Sequence, residues 1–145
     1  MIPVMQEFNN NIYGDCKRAV YASLLDLPID AVPNFSRHKR RNKLVFIQFL
    51  FSCGWEFYGY GRYNGVITTL PRIEDSLNGY FQAVVKSKNF EGTSHCVVMD
   101  VTGLVVHDPS TSRNYQNENI IESCEIIGWD IVSPRTDDEW KEWLK

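Results

Sequence analysis

The chain has 145 residues, 43% of them hydrophobic and 23% charged, with a formal net charge of −3. That is the size and make-up of one globular domain around a single core, and the charge is too small for an electrostatic nucleic-acid binder or an acidic tail. The longest apolar stretch, "LVFIQFLFSCGW" from Leu44, falls short of the about 20 residues that cross a bilayer, so neither a membrane nor a nucleic acid is an expected partner.

The N-terminal "MIPVMQEFNNN" has no basic region followed by an apolar run, so no secretory leader is expected. Cys16, Cys53, Cys96 and Cys124 are scattered with no C-x-x-C pair. Free thiols in a reducing cytoplasm fit that usage better than a disulfide framework. No repeat or linker divides the chain.

In chain order, the first element is a helix over "CKRAVYASLL". Ala19, Val20, Ala22, Ser23, Leu24 and Leu25 form its small, packable face, and Asp15 stands at the N-cap position. Pro28 and Pro33 bracket one further helical turn. "SRHKRRNK", with the basic run Arg37 to Lys43, reads as a solvated face or as a docking patch for an acidic or phosphorylated group. A second helix over Arg40 to Cys53 is apolar almost all round, which predicts burial, and Gly54 ends it. "WEFYGYGRYNG" reads as a strand running out into a Tyr/Gly loop. Four β-branched and aromatic runs follow, from Tyr80, Ser94, Leu104 and Glu125, with a tight turn at Thr102-Gly103 joining the middle two. "TDDEWKEWLK" reads as a short closing helix. Helices first and an antiparallel sheet after predict an α+β fold with the N-terminal helices packed on the sheet.

Cys16 is the residue that invites a chemical reading. A cysteine at the first turn of a helix meets unpaired N–H groups and the positive end of the dipole, both of which favour the thiolate. The chain has three histidines. His38 lies in the basic run, and strand alternation turns His107 away from its neighbour Asp108. His95 opens the strand "HCVVMD", and pairing it with "LVVHD" about the Thr102-Gly103 turn brings Asp108 beside it. The expected set is Cys16 as nucleophile, His95 as base and Asp108 as its orienting carboxylate. Gln6, upstream on the approach segment, is a candidate oxyanion donor together with the Cys16 amide. Tyr60, Tyr63, Asp15 and Ser94 are candidates for the walls of a substrate groove. Paired ligand spacings are absent, so no structural zinc, other metal or organic cofactor is expected.

Each residue also has a plainer reading. Cys16 fits a buried small residue, His95 a strand histidine bonded to a carbonyl, Asp108 a turn opener before Pro109, and Gln6 a solvated side chain. Cys53, Cys96 and Cys124 sit in apolar runs and read as core, Cys96 facing the other side of its strand from His95.

"VMQEF", "GDCKRAVYASLLDLPIDAVPNF", "HCVVMD" and "GLVVHDP" together resemble the papain-like cysteine peptidase superfamily. They are most similar to its small stand-alone bacterial and phage members and to peptidases that trim bacteriocin leaders. The resemblance covers Met1 to Phe35 and Ser94 to Pro109. It implies a papain-like α+β fold, a peptide or protein substrate, and a peptidase or isopeptidase site. Cys16 matches the nucleophile, His95 the base, Asp108 the orienter and Gln6 the oxyanion donor. Two other functions share the same residues or surface: an acyltransferase of transglutaminase type, and a catalytically silent phage protein that sequesters a host factor.

Overall fold

The computed structural model describes residues 1–7, 15–62, 71–111, 114–120 and 126–135. Cys124, Tyr63 and the expected closing helix over 136–145 lie outside these residues.

Small side chains let the first helix lie close against a sheet. Helix α1 spans Cys16–Leu24, and everything from Ala19 to Leu24 is buried, including Tyr21 and Ser23. After a 3-10 turn at Ile29–Ala31 and a longer 3-10 stretch at Phe35–Arg41 comes α2, Asn42–Ser52. The basic side chains Arg37, His38, Arg40, Arg41 and Lys43 are exposed.

The expectation that α2 is largely buried is corrected. Only Phe46 and Leu50 are buried, and Leu44 is 54% exposed. The core covers one side of the helix. On the other, α2 and the adjoining strand leave an open apolar cavity of about 710 Å³, lined by Leu44, Ile47, Phe51, Trp55 and Tyr58 among others.

Five strands form one antiparallel sheet: β1 (Trp55–Arg62), β2 (Tyr80–Lys86), β3 (Ser94–Asp100), β4 (Val105–His107) and β5 (Ile126–Pro134), in the spatial order β1-β5-β2-β3-β4. The architecture is α+β, with helices packed on this sheet. Among the described residues no helix is long and apolar enough to cross a membrane.

Strand β1 does not dissolve at its glycines, as its composition predicts, but pairs with β5 through to Arg62. A bulge between Phe57 and Gly59 takes up the irregularity. Gly61 is covered by Trp129, whose indole Nε1 would lie 2.1 Å from any Cβ placed there. The glycine is a packing requirement of the strand rather than its end.

Alternation along the strands divides the core in two. Val98 and Val132 face α1 and α2 and join Val20, Tyr21, Phe46 and Leu50. Phe81, Ala83, Val97, Met99 and Trp129 face the other way, where Tyr115 and Ile120 cover them. The β3–β4 turn forms where the sequence places it. Asp100 Oδ1 accepts from the Thr102 amide (2.8 Å), the Thr102 hydroxyl (2.6 Å) and the Leu104 amide (3.2 Å), which fixes the register of the strands it joins.

Candidate functional site

That register sets the first contact of the site. With Val98 opposite His107, the start of β3 meets the residue just past β4. His95 Nε2 donates to Asp108 Oδ1 at 2.7 Å. Asp108 is buried and accepts two more bonds, from the Ser110 amide to Oδ1 (2.9 Å) and from the Tyr115 amide to Oδ2 (2.8 Å). Asp108 therefore both opens the turn and bonds the His95 ring. One carboxylate shapes the loop, and the loop's amides hold the carboxylate toward the imidazole.

With Nε2 engaged, Nδ1 is the nitrogen left for another partner. Cys16, at the first turn of α1, interacts with the His95 ring and with Cys96. The Cys16 thiol is held well below its ordinary value, by hydrogen bonding from the Cys96 side chain first, against the opposing effect of burial, and by hydrogen bonding to and the charge of His95. For His95, burial works against the charge, but Asp108 and Cys16 outweigh it and raise the imidazole to about 9. Both shifts favour a thiolate–imidazolium pair.

Cys96 packs in the core as the sequence suggests, and it also meets Cys16. It does face away from the other core, as alternation predicts, but the face it occupies is the one α1 covers. It packs against the α1 cluster and meets Cys16 rather than serving only as filling. Burial and the Cys16 contact push its own thiol well up. Cys16 and Cys96 are free and half-buried.

Asp15 is a correction. It occupies the N-cap position of α1, but its side chain makes no capping bond. The buried carboxylate turns instead to the N-terminal strap, residues 1–7, where Oδ2 accepts the Glu7 amide at 3.1 Å, and to Arg18 at 4.0 Å. The strap lies between α1 and the end of β4. On one side the Ile2 amide reaches Asp26 and the Val4 amide reaches Ser23 Oγ, each at 2.8 Å. On the other, His107 Nε2 donates to the Val4 carbonyl (2.7 Å) and the Gln6 amide to the Pro109 carbonyl (3.0 Å). Gln6 thus sits between the Asp108 loop and the start of α1, half-buried. His107 is part of the scaffold that puts it there.

Of the groove candidates, Tyr60 lies on β1 opposite Asp130, 49% exposed, with the Lys17 ammonium 5.9 Å from its ring. Lys17 follows Cys16 directly, so Tyr60 is on the side of the sheet that carries α1. Ser94 is exposed at the start of β3, beside His95.

The sequence reading passed over a buried polar cluster under α1. Asp130 accepts from the Tyr21 hydroxyl and from Gln82 Nε2 (2.8 Å). Its other oxygen, and Gln82 Oε1, are buried with no hydrogen-bond partner among the described residues. Burial pushes Asp130 up to about 6, while Lys17, Tyr21 and Gln82 pull it down. Among the described residues, no three His, Cys, Asp or Glu side chains are placed to hold a metal ion.

No family model matches the chain, and neither does any curated protein or solved structure. The site is therefore read from its own geometry.

Proposed function

We propose that the chain is a single-domain thiol hydrolase of papain-like architecture that cleaves a peptide or isopeptide bond. One observation carries the reading: the 2.7 Å bond from His95 Nε2 to a buried Asp108, which leaves Nδ1 for a cysteine at a helix N-terminus. Asp108 fixes the tautomer and balances the imidazolium. The Cys16 thiolate adds to the acyl carbon, and the oxyanion is held by the Cys16 amide and the Gln6 side chain. His95 gives its proton to the leaving amine as the C–N bond breaks, and a thioester remains. His95 then takes a proton from water, whose oxygen adds to the thioester, and the acid leaves as the thiolate returns. The chemistry needs no metal or cofactor, and the reducing cytoplasm is the compartment that suits it.

The test is to trap the thioester. A peptide library is incubated with the protein, quenched in acid, and the cysteine-containing fragments are weighed. The expected result is a hydroxylamine-sensitive acyl adduct on Cys16 alone, with cleaved peptide accumulating, and neither in His95→Ala. Slow, equal alkylation of all the cysteines by iodoacetamide, with no adduct, would overturn the reading.

A further inference from the structure

Hydrolysis uses one sulfur, yet two meet at the start of α1. Cys96 is paired with Val84 across β2 and shares its face of the strand with Val98, which packs in the α1 cluster. That puts the Cys96 thiol under the N-terminal end of α1, next to Cys16, while the ring of the preceding residue, His95, meets the same sulfur. Both residues are half-buried, and both thiols are free. Alanine or serine would fill the Cys96 position on the strand. A thiol there adds a second sulfur within hydrogen-bonding reach of the nucleophile.

We propose that Cys96 is a resolving thiol for Cys16, so that a hydroperoxide converts the pair to a disulfide and switches the site off reversibly. The inference rests on the thiolate at Cys16 and not on any particular substrate. In the first step the Cys16 thiolate attacks one peroxide oxygen. An S–O bond forms, the O–O bond breaks, and the departing oxygen leaves as water or alcohol with the proton of the His95 imidazolium. Sulfur is oxidised by two electrons and the peroxide reduced by two. In the second step the Cys96 sulfur attacks the Cys16 sulfenic sulfur. The S–S bond forms as S–O breaks, and the Cys96 proton leaves with the hydroxyl as water. Two thiols and one hydroperoxide become a disulfide, a water and a water or alcohol. A dithiol reductant reverses the change, and without Cys96 the sulfenic acid would proceed to the irreversible sulfinic acid.

The test uses the whole chain, hydrogen peroxide and peptide mapping after alkylation, with iodoacetamide uptake at Cys16 as the readout instead of hydrolysis. The expected product is a single crosslink between the Cys16 and Cys96 peptides, with Cys53 remaining a free thiol as internal control. Uptake at Cys16 should vanish with the crosslink and return after dithiothreitol. In both Cys96→Ser and Cys96→Ala the crosslink is lost, Cys16 is found as sulfinic acid, and the fraction recovered by reductant falls about tenfold. As an independent probe of proximity, one equivalent of a monosubstituted trivalent arsenical should protect Cys16 and Cys96 together, and protect neither in the Cys96 variants. Crosslinks to Cys53 or Cys124, or Cys16 passing to sulfinic acid in the unmodified chain with no crosslink, would overturn the proposal. Should the crosslink form in a protein that hydrolyses nothing, the hydrolase reading fails and the redox pair stands. Should the peptide thioester form and the crosslink not, the reverse holds.

Discussion

Two carboxylates are buried on this sheet, and they have been given opposite surroundings. Asp108, just past β4, accepts from two backbone amides and one imidazole. Asp130, in the middle of β5, accepts from the side chains of Tyr21 and Gln82, and among the described residues its other oxygen has no partner. Backbone amides of a loop are fixed dipoles that need no proton of their own to spare. Wrapped around Asp108, they fix its carboxylate against the His95 ring. Asp130 lies among strands whose amides are committed to the ladder, so it takes its donors from neighbouring side chains, and burial raises it to about 6. At the end of the sheet a buried carboxylate is held by loop amides, and in its middle it relies on neighbouring side chains. The candidate site stands where the chain leaves β4.

The largest effect should come from cutting the Asp108 side of the comparison. His95→Ala is expected to lower hydrolysis by about 10²–10⁴-fold, as removal of a general acid–base does. It should also slow iodoacetamide uptake at Cys16 near neutral pH, because the thiolate loses its imidazolium. Asp108→Asn tests the same bond more finely. An asparagine amide turned toward Nε2 makes that nitrogen an acceptor and places the proton on Nδ1, where it blocks proton uptake from Cys16. A loss of about 10⁴ in kcat is the scale for such a tautomer error. The pH profile carries the sign. His95 holds its charge below about 9 and loses it above, so hydrolysis should fall on the alkaline side near that value. In Asp108→Asn the alkaline limb should move to lower pH, since the bond to Asp108 is the largest influence raising the imidazole. An unmoved limb would mean that Asp108 does not govern His95.

Next in size is Gln6→Ala. Loss of one oxyanion donor is expected to cost about 10²–10³-fold in kcat with KM little changed. Iodoacetamide uptake by Cys16 should stay as it was, because alkylation generates no oxyanion. A parallel loss of alkylation would assign Gln6 to the fold of the strap and not to the chemistry.

The Asp108 half of the comparison was legible in the sequence, and the Asp130 half was not. A tight turn between two short strands turns register into counting, so His95 and Asp108 follow from "HCVVMD", Thr102-Gly103 and "LVVHD" alone. Small residues at Ala19 and Ala22 likewise announce close packing of α1. The Tyr21–Asp130–Gln82 cluster joins three elements separated by 109 and 48 residues, and nothing local to "GWDIV" marks its aspartate as buried. The Cys16–Cys96 contact was hidden for a related reason. Alternation gives which residues share a face but not which face a helix will cover. The strap is illegible because its bonds run through backbone atoms and through His107, whose side chain is defined only once α1 and β4 stand side by side.

Asp130 can be broken in two ways that separate pairing from charge. Asp130→Ala leaves the Tyr21 hydroxyl and the Gln82 amide buried without acceptors, at a cost of roughly 1–3 kcal/mol each. Asp130→Asn keeps an acceptor for Tyr21 and gives Gln82 Oε1 a donor. Its effect should appear in the pH dependence. Between 3.8 and about 6 the folded protein holds a proton that the unfolded chain releases, so the contribution of Asp130 to stability is full below 3.8 and declines as pH rises through 6. Asparagine removes that decline, worth up to about 3 kcal/mol above pH 6. Denaturant midpoints of both variants at pH 4 and pH 8 measure it. If Asp130→Asn lost as much as Asp130→Ala at pH 8, the carboxylate would be paired better than its surroundings indicate.

The smallest expected effect separates the strap from the core on which it rests. Ser23 is fully buried, and its Oγ accepts the Val4 amide while donating to the Ala19 carbonyl, both at 2.8 Å. Ser23→Ala strands the Val4 amide, a loss on the order of 1 kcal/mol, partly offset because alanine favours the helix and no hydroxyl bonds back along it. The strap is then held by Asp26, His107, Pro109 and Asp15 without its central tie. Since Gln6 is positioned by the strap and Asp130 is not, hydrolysis should drop a few-fold while the pH dependence of stability set by Asp130 stays unchanged. A change in that pH dependence would show that the strap and the buried cluster are one unit, and that the contrast between the two carboxylates is not a division of labour.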